Sequence, residues 1–104
     1  MSTWFITRHP GAREWARSVG LRIDQHGVHL DPAEVQAGDT VIGTLPVHLA
    51  AQVCQRGARY LHLSLDVPEN ARGQELDADS MGACKPRLEA YTICRGPGGE
   101  GETA

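Results

Sequence analysis

The segment WFITRHPGAREWA, residues 4–16, contains the change of pattern on which the fold prediction rests. Its first three residues are apolar and do not alternate with polar ones, which is typical of a strand buried on both faces, and a strand is predicted over 3–7. From Gly11 onward, apolar residues recur at spacings of three and four, the pattern of an amphipathic helix. Gly20 is expected to end this helix, because glycine readily adopts the left-handed backbone found there. The chain therefore begins with a buried strand that leads directly into a helix.

The rest of the chain repeats this alternation of strands and helices. Pro46 suits the first position of a helix, where its missing N–H costs nothing, and Gly57 is expected to end that helix. The predicted elements are a strand at 40–42, a turn at 43–45, a helix at 47–56, a strand at 59–66, a short helix around 76–83 and a strand at 87–94.

Residues 21–30 leave two alternatives open. Ile23, Val28 and Leu30 favour either one strand or a short hairpin. The polar sequence Asp-Gln-His-Gly at 24–27 interrupts the apolar pattern, so its backbone is read as a break in the strand.

The alternation predicts an α/β fold, a small Rossmann-like three-layer domain. Strands that alternate with helices form a mostly parallel sheet with right-handed crossovers. We expect one such domain over 1–94 and a disordered, glycine-rich tail over 95–104.

Charge and hydropathy indicate which kinds of partner this chain is expected to bind. The net charge of −3 argues against binding to a long nucleic acid duplex. Nine of the ten basic residues are arginine, which reflects either a GC-rich coding sequence or a small anionic site. No apolar run approaches the ~20 residues that span a bilayer, and no signal-peptide pattern opens the chain, so a cytoplasmic protein without a membrane partner is expected.

Neither a disulfide framework nor a metal site is predicted. Three widely spaced cysteines, at 54, 84 and 94, form no paired motif, so reduced thiols are expected. The five histidines lack the spacing of a zinc motif. The chain also lacks the glycine-rich patterns that bind dinucleotides or triphosphates, and no cofactor is expected.

Polar residues follow three of the predicted strands. The carboxyl ends of parallel strands meet at one rim, where ligands bind. Helix N-termini at the same rim carry N–H groups and partial positive charge, which suit phosphate. The residues expected at this rim are Arg8 and His9 after the first strand, Thr44 and Leu45 after the strand at 40–42, His48 in the helix that follows, and Ser64 and Asp66 after the strand at 59–66.

Each of these residues also has a purely structural interpretation. Arg8 can pair with an acidic neighbour, His9 can be a turn residue held by backbone hydrogen bonds, and Thr44 can cap the helix that follows. Ser64 and Asp66 can be ordinary strand-end and turn residues. His62, within a strand, is interpreted as a packed or hydrogen-bonded histidine and not as a ligand contact.

Two motifs carry a resemblance to a known family. The motifs TRHPGA, residues 7–12, and GDTVIGTLP, residues 38–46, together with the spacing between them, resemble the CRISPR-associated accessory proteins of the Csx series, specifically its sixteenth member. The resemblance covers about residues 2–94. It implies a ring nuclease of type III CRISPR systems: a small Rossmann-like homodimer that binds cyclic tetra-adenylate and cuts it, which switches the immune signal off.

A mechanism for this ligand follows as a hypothesis, in which the residue roles are assigned from the predicted positions at the rim and not from the resemblance. The ribose 2′-hydroxyl would attack the adjacent phosphorus without a metal ion. Arg8 would then stabilise phosphate charge, helped by the N–H groups of Gly11 and Ala12, and His9 would act as general acid or base. The expected ligand contacts are Thr7, Pro10, Gly11, Gly43, Thr44, Leu45 and Asp66, with His48 and Ser64 in second rank.

Two other functions remain open at this point. The same pocket in a sensor or sponge would hold a cyclic oligonucleotide without cutting it. An adaptor protein would use no small ligand at all.

Overall fold

The computed structural model describes residues 1–67 and 78–96. The loop at 68–77 and most of the predicted tail, residues 97–104, lie outside the described residues. The elements follow the predicted order, and their bounds are β1 Thr3–Ile6, α1 Pro10–Ser18, β2 Gln25–Gly27, a 3₁₀ turn Pro32–Glu34, β3 Thr40–Gly43, α2 Val47–Gln55, β4 Arg59–Ser64, α3 Ala78–Ala83 and β5 Arg87–Tyr91.

The strands form one five-stranded sheet in the order β2-β1-β3-β4-β5. The pairs β1–β2, β1–β3 and β3–β4 are parallel, and β5 lies antiparallel to β4. Ile6 lies opposite Gly43, and Gly43 lies opposite His62. The carboxyl ends of β1, β3 and β4 therefore meet at one edge, and the predicted α/β fold with a mostly parallel sheet is confirmed.

Apolar side chains cover both faces of the sheet. On one face, Val41 and Tyr60 pack in a cluster with Val53 of α2. On the other face, Phe5 packs in a cluster with Ala12 of α1 and Cys84, which follows α3. Neighbouring residues of a strand point to opposite faces, so the apolar run in β1 serves both clusters. The domain has three layers, with α2 on one side and α1 and α3 on the other.

Glycine ends both long helices as the sequence predicts. Gly20 and Gly57 have positive φ angles of 79° and 84°. In each case two backbone bonds close the last turn; after α1, Gly20 N donates to Arg17 O and Leu21 N donates to Ala16 O. This is the Schellman arrangement, in which the left-handed residue turns the chain back toward the sheet.

The structure decides between the two alternatives for residues 21–30. These residues contain one strand, β2, and no hairpin. The strand occupies Gln25–Gly27, inside the polar segment whose pattern indicates a break. It lies at the edge of the sheet and its Gln25 and His26 side chains are exposed, so it needs no apolar pattern. Other differences from the predicted bounds are smaller. Pro46 is the N-cap of α2 and not its first helical residue, and β4 and β5 end before their predicted limits.

A buried carboxylate fixes the opposite, amino-terminal edge of the sheet. Asp39 Oδ1 accepts a hydrogen bond from Ser2 N at 2.8 Å, and Oδ2 accepts from Trp4 Nε1 at 3.1 Å and Gln36 N at 3.0 Å. These bonds, led by the backbone amide of Gln36, lower the pKa of Asp39 below its ordinary value. Asp39 thereby ties the start of β1 to the segment that enters β3.

Among residues 1–67 and 78–96, no helix has the length and apolar character that a membrane span requires.

Candidate functional site

A groove of about 680 Å³ opens at the carboxyl edge of the sheet. It lies where β1, β3 and β4 end, and the segment after β2 closes one side. Five of the predicted site residues line it, namely Thr7, Arg8, His9, Thr44 and Leu45. Several apolar side chains complete its walls. The lining residues are Ile6, Thr7, Arg8, His9, Val28, His29, Leu30, Thr44, Leu45, Pro46, Leu49, His62, Leu63, Leu65 and Val67.

A tight turn between β1 and α1 presents Arg8 and His9. The backbone N of His9 donates to Thr7 Oγ1 at 3.1 Å, and Ala12 N donates to His9 O at 3.0 Å. The backbone of His9 is therefore held as the turn interpretation expects, while its side chain lines the groove. Arg8 is exposed, and within the described part of the chain it forms no ion pair. Its guanidinium is available to an anionic ligand.

The turn between β3 and α2 supplies Thr44 and Leu45. Thr44 Oγ1 donates to Leu63 O at 3.1 Å, and the N-cap of α2 is Pro46, with no side-chain cap. The helix-capping interpretation of Thr44 is therefore wrong, since its hydroxyl ties the turn to β4 instead. Leu45 is buried, and its N donates to Tyr60 Oη at 3.0 Å.

His62 also lines the groove, next to a buried tyrosine. Its Nδ1 lies 2.7 Å from Tyr60 Oη, and its ring meets the Tyr91 ring edge-on with centroids 5.8 Å apart. The prediction of a hydrogen-bonded histidine is confirmed, but the same side chain also faces the candidate site. Burial raises the pKa of Tyr60 above its ordinary value, so this hydroxyl keeps its proton near neutral pH.

The predicted anion cradle at α1 is smaller than expected. Pro10 at the start of the helix has no N–H, and the Ala12 N–H already donates to His9 O. Gly11 is buried and does not line the groove. Pro10 instead borders a smaller depression on the far side of the Arg8–His9 turn.

Gly43 has a structural role. It is buried, and its carbonyl accepts a hydrogen bond from Tyr60 Oη at 3.1 Å. A Cβ atom at this position would overlap the Ile6 carbonyl oxygen of the neighbouring strand. Glycine here allows β1 and β3 to stay paired up to the rim.

Three other predicted ligand contacts lie away from the groove lining. His48 is exposed on α2, and Ser64 is half-buried opposite Arg87 of β5. Asp66 forms an exposed ion pair with Arg87, with 3.2 Å between Oδ1 and Nη2. Because β5 runs antiparallel to β4, Arg87 lies beside both Ser64 and Asp66, which the sequence predicts at the rim.

Comparison with known proteins identifies the family. A family model described as "Putative CRISPR-associated protein (Cas_VVA1548)" matches residues 4–94. The chain belongs to this CRISPR-associated family. No significant match is found among curated proteins or among solved structures. The CRISPR association that the two motifs indicated is confirmed.

Several residues of the groove in this CRISPR-associated protein were missed by sequence reasoning. Val28, His29 and Leu30 reach it because β2 pairs with β1, and the sequence alone does not predict that pairing. A signal for His62 was present, since alternation places it on the same face as Tyr60, close to the carboxyl end of β4.

Metal ligands do not cluster in the described parts of this family member. Over residues 1–67 and 78–96, no group of three or more His, Cys, Asp or Glu side chains is placed to hold a metal ion. The groove brings together one exposed guanidinium, imidazole rings from three segments and two threonine side chains, beside apolar walls.

Proposed function

We propose that this CRISPR-associated protein is a ring nuclease that binds cyclic tetra-adenylate in the groove and cleaves it, which ends type III CRISPR signalling. Three observations support the proposal: the family match, the resemblance carried by the two motifs, and the groove itself. The observation that carries it is the convergence of Arg8, His9 and Thr44, from two distant segments, on one groove at the carboxyl edge of the sheet.

The groove offers contacts for both parts of an adenylate. The Arg8 guanidinium is planar and permanently charged, which suits two-pronged hydrogen bonding to phosphate oxygens. Leu49 and Leu65, both half-buried, supply apolar surface against which the flat face of an adenine can pack. Phosphate therefore lies at the Arg8–His9 turn and the base lies against the apolar wall.

Cleavage needs in-line attack of the ribose 2′-oxygen on the adjacent phosphorus. A bond forms between the 2′-oxygen and phosphorus, the bond from phosphorus to the 5′-oxygen breaks, and a 2′,3′-cyclic phosphate and a 5′-hydroxyl result. Arg8 stabilises the extra negative charge on the phosphoryl oxygens. His9 transfers one of the two protons, because imidazole exchanges protons near neutral pH.

A homodimer fits the symmetry of the ligand. A ring of four equivalent nucleotides placed on the two-fold axis of a dimer would meet two copies of Arg8 and His9. We therefore expect the active form to be a homodimer in the cytoplasm, where this messenger acts. Light scattering of the purified protein measures its oligomeric state.

A turnover assay tests the function. Purified protein is incubated with a large excess of cyclic tetra-adenylate in EDTA, and the products are resolved by chromatography over time. Conversion of many rings per protein supports a metal-independent ring nuclease. Loss of free ring that stops at a fixed ratio to protein, with the ring recovered intact, would identify a sensor or sponge. An intact and unbound ring would show that the ligand is wrong.

A further inference from the structure

The Tyr60 hydroxyl has three polar neighbours, and two of them belong to the rim of the groove. Leu45 N lies 3.0 Å from Oη, Gly43 O lies 3.1 Å away and His62 Nδ1 lies 2.7 Å away. The Tyr60 side chain is 1% exposed, so water does not replace these partners. A hydroxyl has one hydrogen to donate and two lone pairs to accept with. The three neighbours therefore use every hydrogen bond that the hydroxyl can form. The direction of its one hydrogen decides which nitrogen of His62 is protonated.

Only one arrangement of protons makes all three contacts favourable. The Leu45 N–H can only donate and the Gly43 carbonyl can only accept. If Tyr60 donates to Gly43 O, its second lone pair receives a proton from His62 Nδ1, and every contact is a hydrogen bond. If Tyr60 instead donates to His62 Nδ1, two oxygen atoms face each other at 3.1 Å without a hydrogen between them. That contact is repulsive, and its cost is largest in a buried site.

The proton count assigns a tautomer to His62. Nδ1 carries the hydrogen, and in the neutral ring Nε2 is left with a free lone pair. Within residues 1–67 and 78–96, Nδ1 is the only ring nitrogen of His62 with a hydrogen-bond partner. The edge-on contact with Tyr91 further restricts the ring. A histidine fixed in this way is prepared to accept a proton at Nε2.

We propose that His62 is the general base of the cleavage reaction and that Tyr60 is its positioning residue; the base role rests on the proposed function above. His62 Nε2 accepts the proton of the ribose 2′-hydroxyl as the 2′-oxygen attacks phosphorus. The second proton goes to the departing 5′-oxygen from His9, which lines the same groove. Protons are conserved in this step, since one leaves the 2′-oxygen and one reaches the 5′-oxygen. Each histidine thus has one task, and Tyr60 acts only through His62.

The tautomer is tested by nitrogen NMR of the wild-type protein without ligand. Spectra are recorded at increasing pH until the imidazole signals no longer change, so that the neutral ring is observed. The His62 signals are identified by their loss in His62→Gln. We expect a protonated Nδ1 and an unprotonated Nε2. The opposite pattern, with the hydrogen on Nε2, would overturn the proposal without any reference to activity.

Two variants, each lacking one tyrosine hydroxyl, test whether Tyr60 positions His62 through its hydroxyl or only through packing of its ring. Tyr60→Phe keeps the ring in the core and removes the hydroxyl, so the Nε2–H tautomer should gain population and cleavage should slow. Tyr91→Phe is the matched control, since it keeps the ring contact with His62 and removes a hydroxyl that does not bind it. Equal tautomer populations in wild type and both variants would contradict the role of Tyr60. If Tyr60→Phe fails to fold, the wild-type spectrum still decides the assignment.

The base role has its own activity test. His62→Gln should slow cleavage of cyclic tetra-adenylate by about 10²-fold or more, the usual effect of removing a general base. A folded His62→Gln protein that cleaves at the wild-type rate would overturn the role. A wild-type protein that cleaves no ring would overturn the proposed function and the base role together, and the NMR spectrum would still report whether Tyr60 sets the tautomer.

Discussion

The hydroxyl of Thr44 donates a hydrogen bond to the carbonyl oxygen of Leu63, 3.1 Å away. This bond joins the turn that follows β3 to the end of the neighbouring strand β4. Thr44 is exposed and lines the groove, so the bond fixes a polar rim residue relative to the sheet. Two of the three strand ends that form the groove are thus tied by a side chain as well as by the sheet itself. His62 lies one residue before Leu63 in β4, opposite Gly43.

The Arg8–His9 turn should supply both charge stabilisation and proton transfer. We expect Arg8→Ala and His9→Ala each to slow cleavage of cyclic tetra-adenylate by about 10²-fold or more, because one removes the charge that stabilises phosphate and the other removes a proton-transfer group. Steady-state rates with excess ring measure both effects. Arg59→Ala is the matched control, since Arg59 is exposed at the amino end of β4, on the opposite edge of the sheet. Wild-type rates in folded Arg8→Ala and His9→Ala proteins would place the reaction elsewhere.

Gly43 should tolerate no side chain. In Gly43→Ala the new Cβ would overlap the Ile6 carbonyl oxygen, so β1 and β3 must separate at the rim. Overpacking of this kind costs about 1–3 kcal/mol, and we expect a matching loss in the free energy of unfolding measured with urea. Gly82→Ala serves as the control, because nothing lies within 4 Å of a Cβ at that helical position. Equal stability of Gly43→Ala and wild type would contradict the described strand pairing.

Asp39 should stabilise the fold in a pH-dependent way. Asp39→Asn replaces an acceptor oxygen with an NH₂ group among the three donors that Asp39 binds, so its melting temperature should be clearly lower near neutral pH. The folded pKa of Asp39 lies below the ordinary value of 3.8. Its contribution is therefore complete above about 3.8 and is lost as the pH falls through the lower, folded pKa.

Melting curves recorded from neutral to acidic pH measure this dependence. The difference between wild type and Asp39→Asn should shrink only below pH about 3.8. Asp24→Asn is the control, since exposed Asp24 accepts a hydrogen bond from Thr3 N through one oxygen, and an asparagine retains such an acceptor. A difference that stays constant over the whole range would show that the charge of Asp39 does not contribute.

Most of the regular elements could be predicted, because their buried positions are occupied by apolar residues at the spacing typical of a strand or a helix. β1 and β3 are covered on both faces and are apolar, α1 and α2 each have one buried stripe, and glycines end both helices. A strand was one of the two alternatives for residues 21–30, but its position at Gln25–Gly27 could not be found in this way, because an exposed edge strand needs no apolar pattern. The strand order could not be read either, since the pairing of β1 with both β2 and β3 is set by tertiary packing.

The sequence predicts the site residues that follow the ends of parallel strands. It does not predict the residues whose role depends on side-chain contacts in the folded protein. Arg8, His9, Thr44 and Leu45 follow buried parallel strands, and the sheet brings them to one groove. Asp66 was expected there by the same rule, but the antiparallel strand β5 supplies Arg87 as its partner. The significance of His62 arises from its contact with the Tyr60 hydroxyl, which is a property of the folded core.

The most direct test of the central claim is mass spectrometry of the reaction products. Cyclic tetra-adenylate is incubated in excess with the wild-type protein in EDTA, and the ends of the products are identified at early times. Attack by the 2′-hydroxyl predicts linear oligoadenylate with a 2′,3′-cyclic phosphate at one end and a 5′-hydroxyl at the other. Intact ring after prolonged incubation, or products that carry a 5′-phosphate, would contradict the account.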